Sequence, residues 1–127
     1  MSSFPTPQHD SLLSVDTETV DGAMELISAR GAVDLLTGPE LERCVDVALD
    51  KQPSAIIVDL TDVDFLASFG MSILLRANQR LTGATRLVVV ADGPATSRPM
   101  EILGLTDVLT ICPTLQAARQ QLRVGDA

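Results

Sequence analysis

The sequence predicts one α/β domain with a mixed, mostly parallel sheet of about five strands and about four helices, in the order ββαβαβαβα. Its 127 residues are 46% hydrophobic, which suits one continuous core and leaves no room for a second domain. Two alternating segments flank the turn signal Asp21-Gly22 and predict an antiparallel hairpin. Apolar strands then alternate with amphipathic helices, which favours parallel pairing in the later strands.

The chain begins with ten residues that contain two prolines and no periodicity, so residues 1–10 are predicted to form a flexible arm. The domain is expected to span residues 11–122, followed by a tail over 123–127. In its first strand Leu13, Val15 and Thr17 share one side by strict alternation, and the second strand begins near Ala23. These two strands should pair at one edge of the sheet.

The first helix has clear boundary signals in the sequence. Thr37 is placed to cap it, Glu40 stands where a capping box needs an acceptor, and Pro39 lies in the first turn, where proline is tolerated. Helical spacing then predicts one buried stripe made of Leu41, Cys44, Val45, Ala48 and Leu49. Cys44 is interpreted as a small packed hydrophobe, because nothing near it would lower the pKa of its thiol.

The second half of the chain continues the alternation. Residues 55–60 form an apolar, β-branched run typical of a central strand, and a short acidic loop is expected after it. A helix should start at Ser68, bury Met71, Leu74, Leu75 and Leu81, and end at Gly83. Residues 86–92 predict another strand, a short helix should begin near Arg98 and Pro99, and a last strand and helix are expected over 108–112 and 114–122.

Charge and composition narrow the function classes. A net charge of −8 repels phosphates and anionic lipids, and only three aromatic residues are present, so neither nucleic acid nor membrane is an expected partner. A protein with a basic face fits this charge better. Without a secretory signal or an apolar run of about 20 residues, the chain is expected to be cytoplasmic. Cys44 and Cys112 suggest neither a disulfide nor a metal site.

Catalysis has little support in the sequence, so the chain is not expected to be an enzyme and no cofactor is expected. The single histidine, His9, lies in the predicted arm, and the glycine-rich loops that bind phosphates or dinucleotides are missing. The remaining enzymatic hypothesis places Mg²⁺ on Asp59, Asp62 and Asp64 for aspartyl phosphoryl transfer, although Lys51, the only lysine, lies at the far end of the first helix. The favoured interpretation is solvated loop residues at 62 and 64 and a backbone-bonded carboxylate at 59.

Residues 59–77, DLTDVDFLASFGMSILLRA, resemble the STAS domain of bacterial anti-sigma factor antagonists, in which a strand ends in F-x-D-S-S/T-G and runs into a helix. GAVDLLTGPEL from Gly31 and TSRPMEILGLTDVLTICPTLQAA from Thr96 also resemble segments of that family. The resemblance covers roughly residues 11 to 122, in the family's order of elements.

The resemblance implies a regulatory cycle and assigns positions to it. In the family, an anti-sigma factor with a histidine-kinase-like ATPase fold phosphorylates a Ser or Thr at the helix start. The unphosphorylated antagonist binds that kinase and frees the sigma factor. The family's Asp falls on Ala67, its first Ser on Ser68, its phosphoacceptor on Phe69 and its Gly on Gly70. Phe69 has no hydroxyl, so phosphorylation at the usual position is impossible.

The expected partner-binding surface follows from this correspondence. Ser68 is expected to cap the helix through its hydroxyl, with a displaced phosphoacceptor as the alternative. Phe69 either packs in the core beside Phe65 or serves as an exposed anchor. Gly70 either admits a partner backbone or eases the turn. The rival function is a STAS scaffold or small-ligand sensor, and a homodimer is left open. The full expected surface is Asp34, Ala67, Ser68, Phe69, Gly70, Met71 and Ser72.

Overall fold

The computed structural model describes residues 12–126, and the side chains of residues 12–123. The predicted arm over residues 1–10, including His9, lies outside the described residues. The strands are β1 (Leu13–Val20), β2 (Met24–Val33), β3 (Ala55–Leu66), β4 (Arg86–Val90) and β5 (Thr110–Cys112). The helices are α1 (Gly38–Asp50), α2 (Ser68–Gln79), α3 (Ser97–Ile102) and α4 (Leu115–Asp126), and a short 3₁₀ helix spans Leu105–Asp107.

The five strands form one sheet in the order β1-β2-β3-β4-β5. β1 pairs with β2 in antiparallel fashion, and every later pair is parallel. The hairpin turn lies at Asp21 and Gly22, whose φ angles of 51° and 80° place both residues in the left-handed region. The predicted fold class, element order and edge hairpin are therefore confirmed.

β3 is longer than predicted, and this corrects the interpretation of its acidic residues. The strand continues to Leu66, so Asp62 and Asp64 are exposed strand residues rather than loop residues. Beyond Asp59 the strand no longer pairs with β4, but it stays paired with β2, with register shifts between Ser28 and Arg30 and between Gly31 and Ala32. Pairing with one neighbour is enough to keep the chain extended where the apolar run has ended.

The core lies on both faces of the sheet. Ile56, Val58 and Leu60 of β3 pack with side chains from α1, α2 and α3, whereas Ala55 and Ile57 belong to a second cluster with Ala118 and Leu122 of α4. Adjacent strand residues point to opposite faces, so the sheet is a middle layer, and of the helices described only α4 packs on its second face. None of the helices in the described part is long and apolar enough to cross a membrane.

Helix boundaries differ from prediction in specific ways. Thr37 is the N-cap of α1 and Pro39 lies in its first turn, but the Thr37 side chain makes no capping bond, so the predicted capping box is wrong. The Thr37 hydroxyl instead donates to Ala32 O at 2.7 Å. α2 ends at Gln79, before Gly83, and α4 continues to Asp126, beyond the expected end at 122. The predicted stripe of α1 is confirmed: Leu41, Cys44, Val45 and Ala48 are buried, and Leu49 packs against the same cluster.

One buried carboxylate ties the hairpin to the end of α1. Glu25 of β2 is 4% exposed, and its side chain accepts a hydrogen bond from Thr19 Oγ1 at 2.6 Å. The Nζ atom of Lys51, which follows α1, lies 3.2 Å from Glu25 Oε1. The chain's only lysine therefore compensates a carboxylate that is largely buried.

Candidate functional site

The end of β2 is hydrogen-bonded to the residue that follows β3, at the position of the binding surface predicted from the sequence. The backbone N–H of Ala67 donates to Val33 O at 2.9 Å, and Val33 and Leu66 are register partners. This bond brings the loop after β2, which begins at Asp34, next to the start of α2. Asp34 and Ser68 therefore share one end of the sheet, as expected from the sequence.

Asp34 organises the loop between β2 and α1. Its Oδ1 accepts hydrogen bonds from the N–H groups of Leu36 at 2.9 Å and Thr37 at 3.0 Å. The bond from the Thr37 amide, helped by the Thr37 hydroxyl and the Leu36 amide, lowers the pKa of the Asp34 carboxyl, while desolvation opposes this shift. These hydrogen bonds therefore stabilise Asp34 as a carboxylate and hold the loop that carries Leu35 and Leu36 in a tight turn.

Ser68 does not cap α2, which corrects its expected role. The N-cap is Ala67, in an extended conformation with φ −83° and ψ 170°, and it has no side-chain oxygen to offer. Ser68 is the first residue of the helix and is exposed, and its hydroxyl has no hydrogen-bond partner among the described residues. No side chain therefore caps the first N–H groups of the helix, and the Ser68 hydroxyl lies beside them.

Phe69 packs across the two helix starts rather than into the core beside Phe65. A Cβ placed on Gly38, at the first position of α1, would lie 2.5 Å from Phe69 Cδ2 and 2.7 Å from Cε2. The guanidinium carbon of Arg76 is 5.9 Å from the centre of the ring. Phe69 is half-buried, while Phe65 is 54% exposed, so the alternative in which the two rings pack together in the core is wrong. The Phe69 ring therefore occupies the space that a side chain at position 38 would need, so this contact requires glycine there.

Gly70 and Met71 lie beneath the surface. A Cβ on Gly70 would stand 2.6 Å from Leu66 Cδ1 and 2.7 Å from Val33 Cγ1, so the glycine admits the protein's own sheet rather than a partner backbone. Of the two alternatives for Gly70, the one in which it admits a partner backbone is therefore wrong. Met71 is 6% exposed and belongs to the core cluster. These two residues fix how α2 sits on the sheet, and neither presents a side chain to a partner.

Ser72 and Arg76 hold the first turn of α2. The Ser72 hydroxyl donates to Phe69 O at 2.7 Å and accepts from Arg76 Nη1 at 3.2 Å. Arg76 Nη2 also donates to Glu42 Oε2 of α1 at 2.6 Å. The helix start, Phe69 and α1 are therefore connected by one chain of polar contacts as well as by the ring.

Two exposed leucines at this end of the sheet were not among the site residues predicted from the sequence. Leu35 and Leu36 are 73% and 70% exposed, in the loop that Asp34 folds. Together with Ser68 and Phe69, at the adjoining start of α2, they form what we call the helix-start surface. The available signal was a pair of large apolar residues inside a turn, which is unusual because turn residues are commonly polar.

The acidic residues considered for a metal site, and the two thiols, have surroundings that bear on their predicted roles. Asp59 Oδ1 accepts a hydrogen bond from the N–H of Thr61 at 2.9 Å, which confirms its predicted bonding to backbone. Among the side chains of residues 12–123, no group of three His, Cys, Asp or Glu is arranged to hold a metal ion. Cys44 and Cys112 are free and buried, and burial raises the pKa of both thiols.

An apolar rim around the start of a helix that begins at the end of a central strand is typical of a protein-binding domain. The model of the STAS domain matches residues 14–118, and the chain belongs to this family. The resemblance found in the sequence is therefore confirmed. The matched residues make up most of the described chain.

Individual relatives are similar over most of their length. The anti-sigma-F factor antagonist RsfB of Mycobacterium tuberculosis is 32% identical over 100 residues, which cover 79% of this chain and 82% of RsfB. An anti-sigma-B factor antagonist of Listeria monocytogenes is 28% identical over 97 residues, 76% of this chain and 81% of that protein.

Solved structures agree with the fold. An anti-sigma factor antagonist from Mycobacterium paratuberculosis superposes with a TM-score of 0.84 at 34% identity, covering 87% of this chain and 94% of that chain. The unphosphorylated form of the anti-sigma factor antagonist SpoIIAA shares the fold with a TM-score of 0.64 at 18% identity, covering 87% of this chain and 98% of that chain.

Proposed function

We propose that this chain is a cytoplasmic anti-sigma factor antagonist, without catalytic activity, that binds a kinase-type anti-sigma factor and so releases a sigma factor. The similarity to relatives with that name, over about four-fifths of the chain, is the observation that carries the proposal. The function is reversible protein binding, and the helix-start surface is the part of the chain that makes the contact.

Exposed apolar side chains support this choice of surface. Leu35 and Leu36 expose most of their side chains, and Phe69 adds part of an aromatic ring beside them. Large apolar groups that can be desolvated at the centre of a contact dominate binding energies. Asp34, Asp62 and Asp64 stand at the same end of the sheet, so the partner should offer an apolar patch with basic residues around it.

Binding to purified anti-sigma factors from the source organism tests the proposal by calorimetry. Leu35→Asp should weaken binding roughly tenfold or more, because a carboxylate would be desolvated in the contact. Val47→Asp is the matched control, since Val47 is also exposed but lies on α1 away from the helix start. If no anti-sigma factor binds, or if both variants weaken binding equally, the proposal is wrong.

Control by phosphorylation at the family's usual position is lost in this chain. Phe69 occupies that position, and Ser68 and Ser72 are the nearest hydroxyls. The Ser72 hydroxyl is hydrogen-bonded to Phe69 O and Arg76. Ser68 is one residue before the family's phosphoacceptor position. We propose that the protein is competent to bind without a phosphorylation cycle.

Incubation with the cognate kinase and ATP, followed by mass spectrometry, tests this second step. The wild-type chain should remain unmodified, whereas Phe69→Ser should accept one phosphate, which shows that the kinase is active. Stoichiometric phosphate on Ser68 or Ser72 of the wild-type chain would overturn the proposal. That result would leave the binding function itself untouched.

A further inference from the structure

The outer edge of β1 is a second feature that the proposed binding surface does not use. Among residues 12–126, β1 pairs only with β2, so its other edge presents unpaired N–H and C=O groups. The strand is eight residues long, and its register with β2 runs from Leu13 to Val20 without a shift. Proline, lysine and bulges commonly prevent pairing at a sheet edge, and β1 contains none of them. This edge is therefore open to another strand.

A cavity lies between β1 and α1, beside this edge. Its volume is about 160 Å³. A cavity of about 150 Å³ is large enough for benzene, so this one has the size for a single apolar side chain. Its apolar lining comes from Val15 of β1 and from Cys44, Val47 and Ala48 of α1. Val47 is 48% exposed, so the cavity is reached from solvent past this residue.

The charged groups that line the cavity are already paired. Glu25 is bonded to Lys51 and to Thr19 within the protein. Arg43 Nη2 lies 2.8 Å from Glu40 Oε2. The cavity therefore offers no uncompensated charge, and an apolar group fits it better than an ion does.

The opposite face of β1 is acidic. Asp16 and Glu18 point away from the cavity, because successive side chains of a strand alternate between its faces. Glu18 is exposed and has no ion-pair partner among the described side chains. The Asp16 side chain is 70% exposed, with Arg30 Nη2 at 3.2 Å. Opposite charges in neighbouring strands stabilise a sheet and like charges destabilise it, so this face favours a basic strand.

We propose that β1 binds an extended segment of another protein by strand addition, and that apolar and basic residues alternate in this segment. Its backbone pairs with the free edge of β1, and one apolar side chain enters the cavity beside Val15. The basic side chains lie on the other face, opposite Asp16 and Glu18. Main-chain bonds provide affinity in this mode, and the alternate side chains provide specificity. A second copy of this chain, added at the centre of β1, would instead bring carboxylates together.

Titration of the isotope-labelled full-length chain with a peptide of one-letter sequence TKVKLKVT tests the proposal by NMR. The peptide TKKKLVVT is the control, because it has the same composition and charge but not the alternation. We expect saturable binding of TKVKLKVT, and binding of the control that is roughly tenfold weaker or less. Every second backbone amide of β1 should also gain protection from hydrogen exchange, because alternate N–H groups of an edge strand point outward.

N-methylated peptides separate strand addition from general attraction of a cationic peptide to a chain of charge −8. In an added strand, one alternate set of peptide N–H groups faces β1 and the other set faces solvent. Methylation of one set should therefore abolish binding, and methylation of the other should leave it nearly unchanged. Equal effects of the two methylated peptides would overturn the proposal, and so would equal binding of TKVKLKVT and TKKKLVVT.

Variants of the chain test the two faces of β1. Glu18→Lys should weaken binding of TKVKLKVT about threefold or more, because it places like charges opposite each other. Asp107→Lys is the matched control, since it makes the same change in net charge at an exposed position before β5, at the other edge of the sheet. Equal losses in these two variants would show general charge attraction only, which overturns the proposal.

The cavity has its own pair of variants. Val47→Asp should weaken binding of TKVKLKVT roughly tenfold, because a carboxylate would then meet the apolar side chain of the peptide. Leu35→Asp, in the helix-start surface, should leave this binding unchanged. The opposite order is expected for an anti-sigma factor, so the two surfaces are tested separately. A larger loss in Leu35→Asp than in Val47→Asp would overturn the proposal.

The free chain supplies a last check. If both alternate sets of β1 amides are already protected without peptide, residues 1–11 or a second copy occupy the edge, and the proposal is overturned. Circular dichroism shows whether each variant is folded, and the peptide controls do not depend on any variant. No anti-sigma factor takes part in these peptide titrations, so their outcome is independent of the proposed function.

Discussion

A Cβ added to Gly70 would clash with Leu66 and with the fully buried Val33, at 2.6 Å and 2.7 Å. Gly70→Ala should therefore destabilise the protein by about 1–2 kcal/mol, because overpacking against a stiff valine exceeds the gain in helix propensity. Urea unfolding measures the change. Ser68→Ala, two residues earlier at an exposed position, is the control and should stay within about 0.5 kcal/mol of wild type. Equal stabilities of the two variants would contradict the expected clash.

Asp34 predicts a pH dependence of stability. Its folded-state pKa is lowered, so its contribution is fully present above the ordinary aspartate pKa of about 3.9 and is lost as pH falls through the folded value. Asp34→Ala should lower stability most at neutral pH, and the difference from wild type should shrink below about pH 4. Thermal unfolding across that range measures it. Asp64→Ala, at an exposed position of β3, is the control, and a difference that does not depend on pH would refute the role of the carboxylate.

At the scale of elements, two ion pairs that each connect separate parts of the fold should differ in their contribution to the free energy of unfolding. Lys51→Met leaves the carboxylate of Glu25 buried with only Thr19 as partner, so we expect a loss of about 1–3 kcal/mol. Arg80→Met breaks the exposed bond from Arg80 to Asp46, between α2 and α1, and should cost under about 1 kcal/mol. Urea unfolding at low and high salt compares them, and equal losses would show that burial of Glu25 does not matter.

Most elements were predictable from the sequence because their signals are local. The α1 stripe and the hairpin at Asp21-Gly22 follow from spacing and turn chemistry. The extension of β3 was not predictable, because it depends on pairing with β2 after the apolar run stops. Thr37 is the N-cap residue, but its hydroxyl does not bond to the helix N–H groups because it donates to Ala32 O and accepts from the N–H of Asp34.

The candidate site was predictable in position and less so in its surface. The correspondence of residues 67–70 predicts a strand that leads into a helix, and the structure has that junction there, because such a junction is encoded contiguously. Which side chains face outward depends on tertiary packing: Gly70 faces the sheet, and Phe69 rests on Gly38, thirty-one positions earlier in the chain. Contacts of that range leave no periodic signal in the sequence.

At the scale of the whole molecule, the two buried thiols report on opposite faces of the sheet. Cys44 belongs to the cluster under α1 and α2, and Cys112 to the cluster under α4. Burial raises the pKa of both thiols, so neither should react readily with a thiol reagent in the native protein. Through a urea transition both should become reactive at one midpoint, as expected for a single cooperative domain. Earlier labelling of Cys112 would show that the α4 face opens on its own.

The contact of Phe69 with Gly38 means that neither position can change freely while the other stays as it is. Phe69→Ser would restore a hydroxyl at the helix start but leave the backbone of α1 uncovered, and Gly38→Ala would force the ring away. Made together, the two substitutions relieve part of each other's defect, so their effects on stability should be less than additive in a double-mutant cycle. A descendant of this protein that regained the hydroxyl would therefore be expected to acquire a larger residue at position 38 as well.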